Sequence, residues 1–110
     1  MSTAVLVEEV SDWSHNAVQL CGRISGVPAE KELPSGDKVV EFRIIISRES
    51  RGGVDTLDIA AWSSKTRRSA LTLKEGQWVE IQGAIHRRFW QTPTGVASRW
   101  QVESSAITKI

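Results

Sequence analysis

Residues 79–90 carry the side chains whose types and spacing indicate binding chemistry; they read VEIQGAIHRRFW. Alternate residues of an extended chain share a face. Ile81 and Ile85 are therefore expected to face a core, and Arg88 and Trp90 to share the exposed face. A cation neutralises phosphate, and an indole ring stacks on a base of any identity. The pattern is typical of a strand that holds single-stranded nucleic acid, although a barrel strand whose outer end carries Arg and Trp fits it equally well.

Gly83 interrupts this strand midway. Glycine within a strand marks a bend or a place where another backbone approaches closely. We therefore expect a bend or a close backbone contact at Gly83.

The length and composition limit the class of protein. With 110 residues the chain forms one domain around one core. No apolar run approaches the ~20 residues of a membrane helix, so no membrane partner is expected. Residues 1–13 lack the basic start of a signal peptide. The single cysteine, Cys21, cannot form an internal disulfide; we interpret it as a small core residue of a cytoplasmic protein.

The distribution of charge is more informative than the net charge of +1. Residues 1–38 contain three basic and six acidic side chains, whereas residues 39–100 contain ten basic and six acidic ones. The second region also contains four of the five tryptophans. This indicates a local cationic and aromatic surface, although burial of most tryptophans in the core is the alternative.

The hydrophobic pattern predicts five strands and one helix. The predicted strands are 16–24, 39–48, 55–62, 79–90 and 97–110. Residues 63–74 break the alternation and are predicted to contain the helix, and the main loops are 25–38 and 91–96. Ser64 is expected to cap the helix and Gly76 to end it. A five-stranded barrel with a helix between strands three and four is the plan of the all-β OB-fold, although a generic small barrel or sandwich has the same periodicity. The predicted OB domain is 16–110, and residues 1–15 form an arm or edge strand.

Three stretches resemble the bacterial single-stranded DNA-binding protein family. They read NAVQLCGRI at 16–24, LPSGDKVVEFRIIISR at 33–48 and LKEGQWVEIQGAIHRRFW at 73–90. The resemblance covers about residues 16–107 in the family's order and spacing. It implies an OB-fold, sequence-tolerant binding of single strands, and assembly into a homotetramer or, as in the related primosomal proteins, a homodimer.

The resemblance implies roles only where residues match. Trp90 and Trp62 fall at stacking aromatics of the family, Arg88 at a basic position of the same strand as Trp90, and Trp100 near an aromatic of the last strand. The alternative for Trp62 is a side chain that closes the barrel. Phe42 matches a core phenylalanine. Outside these matches, Trp78 is interpreted as a packing or subunit contact.

Departures from the family pattern also matter. Thr56 and Asp58 stand where the family often has a stacking aromatic and a basic residue, and the loop 49–53 lacks a tryptophan. At ~1–3 kcal/mol per stacked base, missing platforms would weaken binding; Arg48 and Arg51 are expected to compensate in part through phosphate contacts. The family's flexible linker and acidic C-terminal recruitment tail are not present in this sequence, which indicates a trimmed core or a compact paralogue.

Three functional hypotheses follow. The first is a non-catalytic module that binds single-stranded DNA during replication, recombination or repair. Its predicted site residues are Trp62, Trp90 and Trp100 for stacking and Arg43, Arg48, Arg51, Arg87 and Arg88 for phosphate. The alternative is an OB-fold protein-interaction subunit with weak or no DNA affinity, which the near-zero net charge and Asp58 favour. A small hydrolase is the weakest reading, since no catalytic set, cofactor motif or metal-ligand cluster stands out.

Overall fold

The computed structural model describes residues 11–110, which form a five-stranded barrel. The elements are β1 (Val18–Glu32), β2 (Lys38–Ser47), β3 (Val54–Ala61), α1 (Ser64–Leu71), β4 (Trp78–Thr92) and β5 (Gly95–Lys109). The strands close in the order β1-β2-β3-β5-β4. Neighbouring strands run antiparallel except β3 and β5, which meet in parallel. This confirms the predicted OB-fold. Most of the arm predicted for residues 1–15 lies outside the described residues.

Alternation along the strands supplies most of the barrel core, although Val39 and Ala60, which have the opposite parity, are buried as well. On β2, Val40, Phe42 and Ile44 point inward and are buried, while Glu41 and Arg43 point outward. The same alternation on the other strands brings in further apolar side chains, chiefly Ile24, Ile59, Val79, Ile81 and Val102. Burial of this apolar area is the main favourable term in folding. The core role predicted for Phe42 agrees with its burial.

The helix closes one end of the barrel, and it is shorter than predicted. The cap is Ser63 rather than Ser64: the Ser63 hydroxyl accepts a hydrogen bond from the Thr66 backbone N–H at 3.1 Å. The buried side chains of Ala70 and Leu73 join the core. The helix ends at Leu71, before the predicted Gly76, because the chain turns there to bring Leu73 into the barrel.

Strand β1 is longer than predicted, and Cys21 is not in the core. The predicted loop 25–38 shrinks to residues 33–37, because Gly26 (φ +79°) accommodates a register shift between Ser25 and Ala29 without ending the strand. Cys21 is exposed. It pairs with Glu80 on the outer face of the barrel, whereas the neighbouring Leu20 packs against the core.

Strands β4 and β5 continue past the barrel as a two-stranded hairpin. The predicted loop 91–96 is a two-residue turn, in which the Thr92 hydroxyl donates to the Gly95 carbonyl at 2.8 Å. Strand β1 pairs with β4 only as far as Gly83, and β3 pairs with β5 only at Val102 and Glu103. Residues 86–101 therefore extend beyond the barrel ladders; we call them the hairpin arm.

The junction between the barrel and the arm explains why residue 83 is a glycine and why Ile85 is not in the core. A Cβ at Gly83 would collide with the Glu103 backbone, with the Glu103 carbonyl carbon only 2.9 Å away, which confirms the predicted close approach. The core position predicted for Ile85 is wrong: its side chain is 43% exposed. Ile85 keeps the inward parity of Ile81, but it lies where the barrel wall ends. The Asn16 side chain fixes this edge, bonding the Ile85 N–H at 2.9 Å and its carbonyl at 2.6 Å.

Candidate nucleic-acid interface

The hairpin arm presents two faces with different chemistry. Residues that pair directly across antiparallel strands project to the same side. Arg88 pairs with Arg99, and Arg87 pairs with Trp100. The groove face consists of His86, Arg88, Trp90 and Arg99. The reverse face consists of Arg87, Phe89, Val96, Ser98 and Trp100.

The groove face joins the outer surface of β2 through Glu41. The Glu41 carboxylate accepts hydrogen bonds from Arg88 Nη1 and Gln101 Nε2, each at 2.7 Å. Its other oxygen lies 2.7 Å from Lys31 Nζ. One carboxylate thus ties β1, β4 and β5 to β2, and it fixes the Arg88 guanidinium at the base of the groove.

A second carboxylate organises the neighbouring part of the groove. Arg43 Nε lies 2.8 Å from Asp58 Oδ1, and Arg99 Nη1 lies 3.5 Å from Asp58 Oδ2. The predicted phosphate ligand Arg43 therefore already has a carboxylate partner. A phosphate that binds here competes with Asp58 for the two guanidinium groups, because the same N–H donors serve both anions.

Two tryptophans flank Arg88 in this groove. Trp62 directly follows β3 and is half-buried, and the Arg88 guanidinium lies 5.8 Å from its ring centre. Arg67 Nη1 donates to the Trp62 carbonyl at 3.1 Å and so holds the backbone at this point. Trp90 lines the same depression as Arg88 and Glu41, and its side chain is 40% exposed. The structure therefore brings the predicted residues Trp62, Arg88 and Trp90 together on one surface.

The reverse face holds a second aromatic and cationic cluster. The Arg87 guanidinium lies 5.7 Å from the ring centre of Phe89 and 5.3 Å from that of Trp100. Arg87 Nε and Nη2 donate to the Ser98 hydroxyl at 3.1 and 2.8 Å. Sequence reasoning placed Trp100 and Arg87 with the groove residues, but they lie on the opposite side of the arm. It also missed Phe89. The alternation that places Arg88 and Trp90 on one face of the strand places Arg87 and Phe89 together on the other.

Comparison with known proteins identifies the family. A model of the single-strand binding protein family matches residues 15–108. The chain belongs to this family. Among solved structures, that of a Plasmodium falciparum SSB in complex with ssDNA resembles the chain with a TM-score of 0.75. The similarity covers 92% of this chain and 99% of that one at 22% sequence identity, so it concerns the fold. A comparison with curated protein sequences found no match.

Two predicted phosphate ligands, Arg48 and Arg51, and the predicted contact residue Trp78 lie outside the groove. Arg48 follows β2 and pairs with Asp55, its Nη2 lying 2.9 Å from Oδ1. Arg51 lies in the exposed turn between β2 and β3 with φ +64°. Trp78 is 50% exposed on the outer face of the barrel, 5.9 Å from the Arg23 guanidinium.

Residues 11–110 also bear on two other classes of site. No group of three or more His, Cys, Asp or Glu side chains in this part of the chain is placed to hold a metal ion. None of the helices within the same residues is long and apolar enough to cross a membrane.

The Glu41 cluster predicts a pH dependence of stability. Burial raises the pKa of Glu41, but the hydrogen bonds from Lys31 and Gln101 and the charges of Lys31 and Arg88 outweigh it, and the pKa lies below the ordinary 4.5. A depressed carboxyl pKa stabilises the fold above the unfolded value and loses this effect as pH falls through the folded value. We expect the melting temperature to fall below pH 4.5 more gently in Glu41→Gln than in the wild type.

The Glu41→Gln experiment needs a control, because acid affects the whole protein and not only the Glu41 cluster. Asp37→Asn is suitable, since Asp37 lies in an exposed turn between β1 and β2. Its melting temperature should follow the wild-type pH curve. Identical curves for Glu41→Gln and the wild type would show that the Glu41 ion pairs contribute nothing to stability.

Proposed function

We propose that the protein binds single-stranded DNA in the groove, without catalysis and with little dependence on base sequence. Trp62 and Trp90 stack on bases, and Arg88, Arg43 and Arg99 contact phosphates. The observation that carries this proposal is the convergence of Trp62, Arg88 and Trp90 on one surface of an OB barrel that belongs to the single-strand binding protein family.

The groove chemistry explains how a strand of any sequence is held. Every base has a π-face, so a ring that stacks on it does not read its identity. The guanidinium groups are oriented before DNA arrives, because Glu41 and Asp58 hold them in place. Phosphates then share the guanidinium groups with these carboxylates or take their place. Binding should weaken as salt rises, because the release of counterions from the DNA is less favourable at high salt concentration.

Other contacts and the setting form part of the same proposal. Trp100, Arg87, Arg48 and Arg51 extend the DNA-binding surface beyond the groove. The protein coats strands during replication, recombination or repair in the cytoplasm. It assembles as a homotetramer, or else as a homodimer, and the exposed ring of Trp78 on the outer face of the barrel supports a subunit contact there.

One observation favours a second candidate, a protein-interaction subunit with weak DNA affinity. Four groove cations (Lys31, Arg43, Arg88 and Arg99) share the carboxylates of Glu41 and Asp58. About half of the positive charge in the groove is therefore neutralised within the protein. A phosphate gains less from a guanidinium that already has a carboxylate partner, so DNA could be held too weakly for this protein to coat strands.

The test is a titration with oligothymidine at low and high salt, followed by tryptophan fluorescence. We expect strong quenching at low salt that high salt reverses, because stacking brings bases onto Trp62 and Trp90. Light scattering on the same sample at micromolar concentration checks the assembly. A folded sample that shows no quenching at low salt would contradict the proposal and favour the second candidate, and a stable monomer would contradict the oligomer.

A further inference from the structure

The cations of the two arm faces differ in what balances their charge. On the groove face, Arg88 shares the carboxylate of Glu41 and Arg99 that of Asp58. On the reverse face, the polar partner of Arg87 is the neutral Ser98 hydroxyl, and no carboxylate within residues 11–110 lies within ion-pair distance of Arg87. The full charge of Arg87 is therefore available to an anion.

The Arg87 side chain is also held ready. Its Nε and Nη2 groups both donate to Ser98, which fixes the plane of the guanidinium. An arginine has five N–H donors, so three stay free for a ligand. The flanking rings are open to solvent: Phe89 is 63% and Trp100 59% exposed. A fixed guanidinium between two exposed rings offers one phosphate contact and two stacking surfaces.

We propose that the reverse face is a second subsite for single-stranded DNA, in which Phe89 and Trp100 stack on bases and Arg87 binds a phosphate between them. The occupant is a further stretch of the strand whose first stretch lies in the groove, so this inference rests on the proposed function. The arm is a single layer of two strands, and the neighbouring side chains of Phe89 and Trp90 point to its opposite sides. A strand that leaves Trp90 needs only to pass around the arm to reach Phe89.

Charge complementarity argues against a second copy of the chain on this face. A two-fold interface would bring Arg87 of each copy to the same patch. No carboxylate of residues 11–110 lies within ion-pair distance of Arg87, and burying unpaired charges is costly. A polyanion with aromatic bases satisfies both the cation and the rings.

The length of the oligonucleotide distinguishes binding at the two subsites. A single OB-fold holds roughly 4 to roughly 16 nucleotides. We expect Phe89→Ala to lower the affinity for oligothymidine of about 16 nucleotides about tenfold, as the loss of one stacked base implies, and to leave that for about 4 nucleotides unchanged. Phe89→Tyr keeps the ring and should bind like the wild type. Arg87→Gln should reduce the slope of log affinity against log salt by about 0.7, the effect of one phosphate contact on a single strand.

Leu71→Ala is the control, because Leu71 is an exposed apolar residue of α1 and lies outside both arm faces. Thermal melts verify that every variant folds. Wild-type affinity of Phe89→Ala at all lengths, with an unchanged salt slope in Arg87→Gln, would overturn the second subsite. So would a change in the oligomeric state of Phe89→Ala without a change in DNA binding, since the face would then be a subunit contact.

Binding in the groove is tested independently of the second subsite, by the variant Trp90→Ala. If Trp90→Ala weakens binding at every length while Phe89→Ala has no effect, the proposed binding in the groove stands and only the second subsite fails. If the folded wild type binds no oligonucleotide of any length, both fail together.

Discussion

Replacing both Trp62 and Trp90 with alanine is expected to lower the affinity for oligothymidine at least about thirtyfold. Each stacked base contributes ~1–3 kcal/mol, and each 1.4 kcal/mol is a factor of ten in the dissociation constant. The measurement is fluorescence anisotropy of a labelled oligonucleotide, which does not depend on the protein's own tryptophans. We choose a short strand, so that contacts outside the groove add little.

The single variants should not add up to the double variant. Arg88 lies against the Trp62 ring and donates to Glu41. Loss of Trp62 therefore also changes the surroundings of a phosphate ligand, and residues that share a partner couple energetically. We expect Trp62→Ala to alter both the affinity and the salt slope, and Trp90→Ala to alter mainly the affinity.

Trp13 provides the matched control for this experiment. Its ring is 82% exposed, and it precedes the first strand, outside both arm faces. Trp13→Ala should therefore bind like the wild type. If the double variant also keeps wild-type affinity while it folds normally, the groove tryptophans do not stack on bases.

The strands that build the barrel could be predicted closely from the sequence. Predicted strands 39–48 and 55–62 differ by one residue at each end from β2 (Lys38–Ser47) and β3 (Val54–Ala61). Here alternation and β-branched residues act together with a clear turn on either side. Where turn-forming residues lie inside a strand, the prediction failed: Gly26 and Pro28 were placed in a loop, although they lie within β1.

The charge arrangement of the groove could not be predicted, because it depends on contacts between distant parts of the chain. Glu41 meets Arg88 and Gln101, which lie 47 and 60 positions away. Alternation places each residue on one side of its own strand, but it does not give the register between strands. The same limit explains why Arg87 and Trp100 were grouped with Arg88: the sequence shows the shared composition, and only the pairing of β4 with β5 separates the two faces.

Gly83→Val is expected to have the largest effect on stability. Gly83 lies where β4 leaves the barrel, and β5 shifts register beside it. A Cβ there would overlap the Glu103 carbonyl oxygen and approach the Ser104 Cα to 3.1 Å. The obstacle is backbone rather than a flexible side chain, so β5 must move. Overpacking of this kind costs about 3 kcal/mol, or roughly 10 to 20 °C in melting temperature for a domain of this size.

The same substitution should affect DNA binding through the position of the arm. The contact between Gly83 and Glu103 sets how closely β4 and β5 approach at the base of the arm, which carries Arg88 and Trp90. A bulkier residue there displaces these side chains from Trp62, which follows β3 on the barrel itself. Thermal denaturation followed by circular dichroism and binding below the lowered melting temperature separate the two effects. Ala84→Val adds comparable bulk at the next position, where the half-buried side chain points away from the core, and it should change neither. An unchanged melting temperature in Gly83→Val would mean that the β5 backbone moves aside at no cost, and Gly83 would then have no part in positioning the arm.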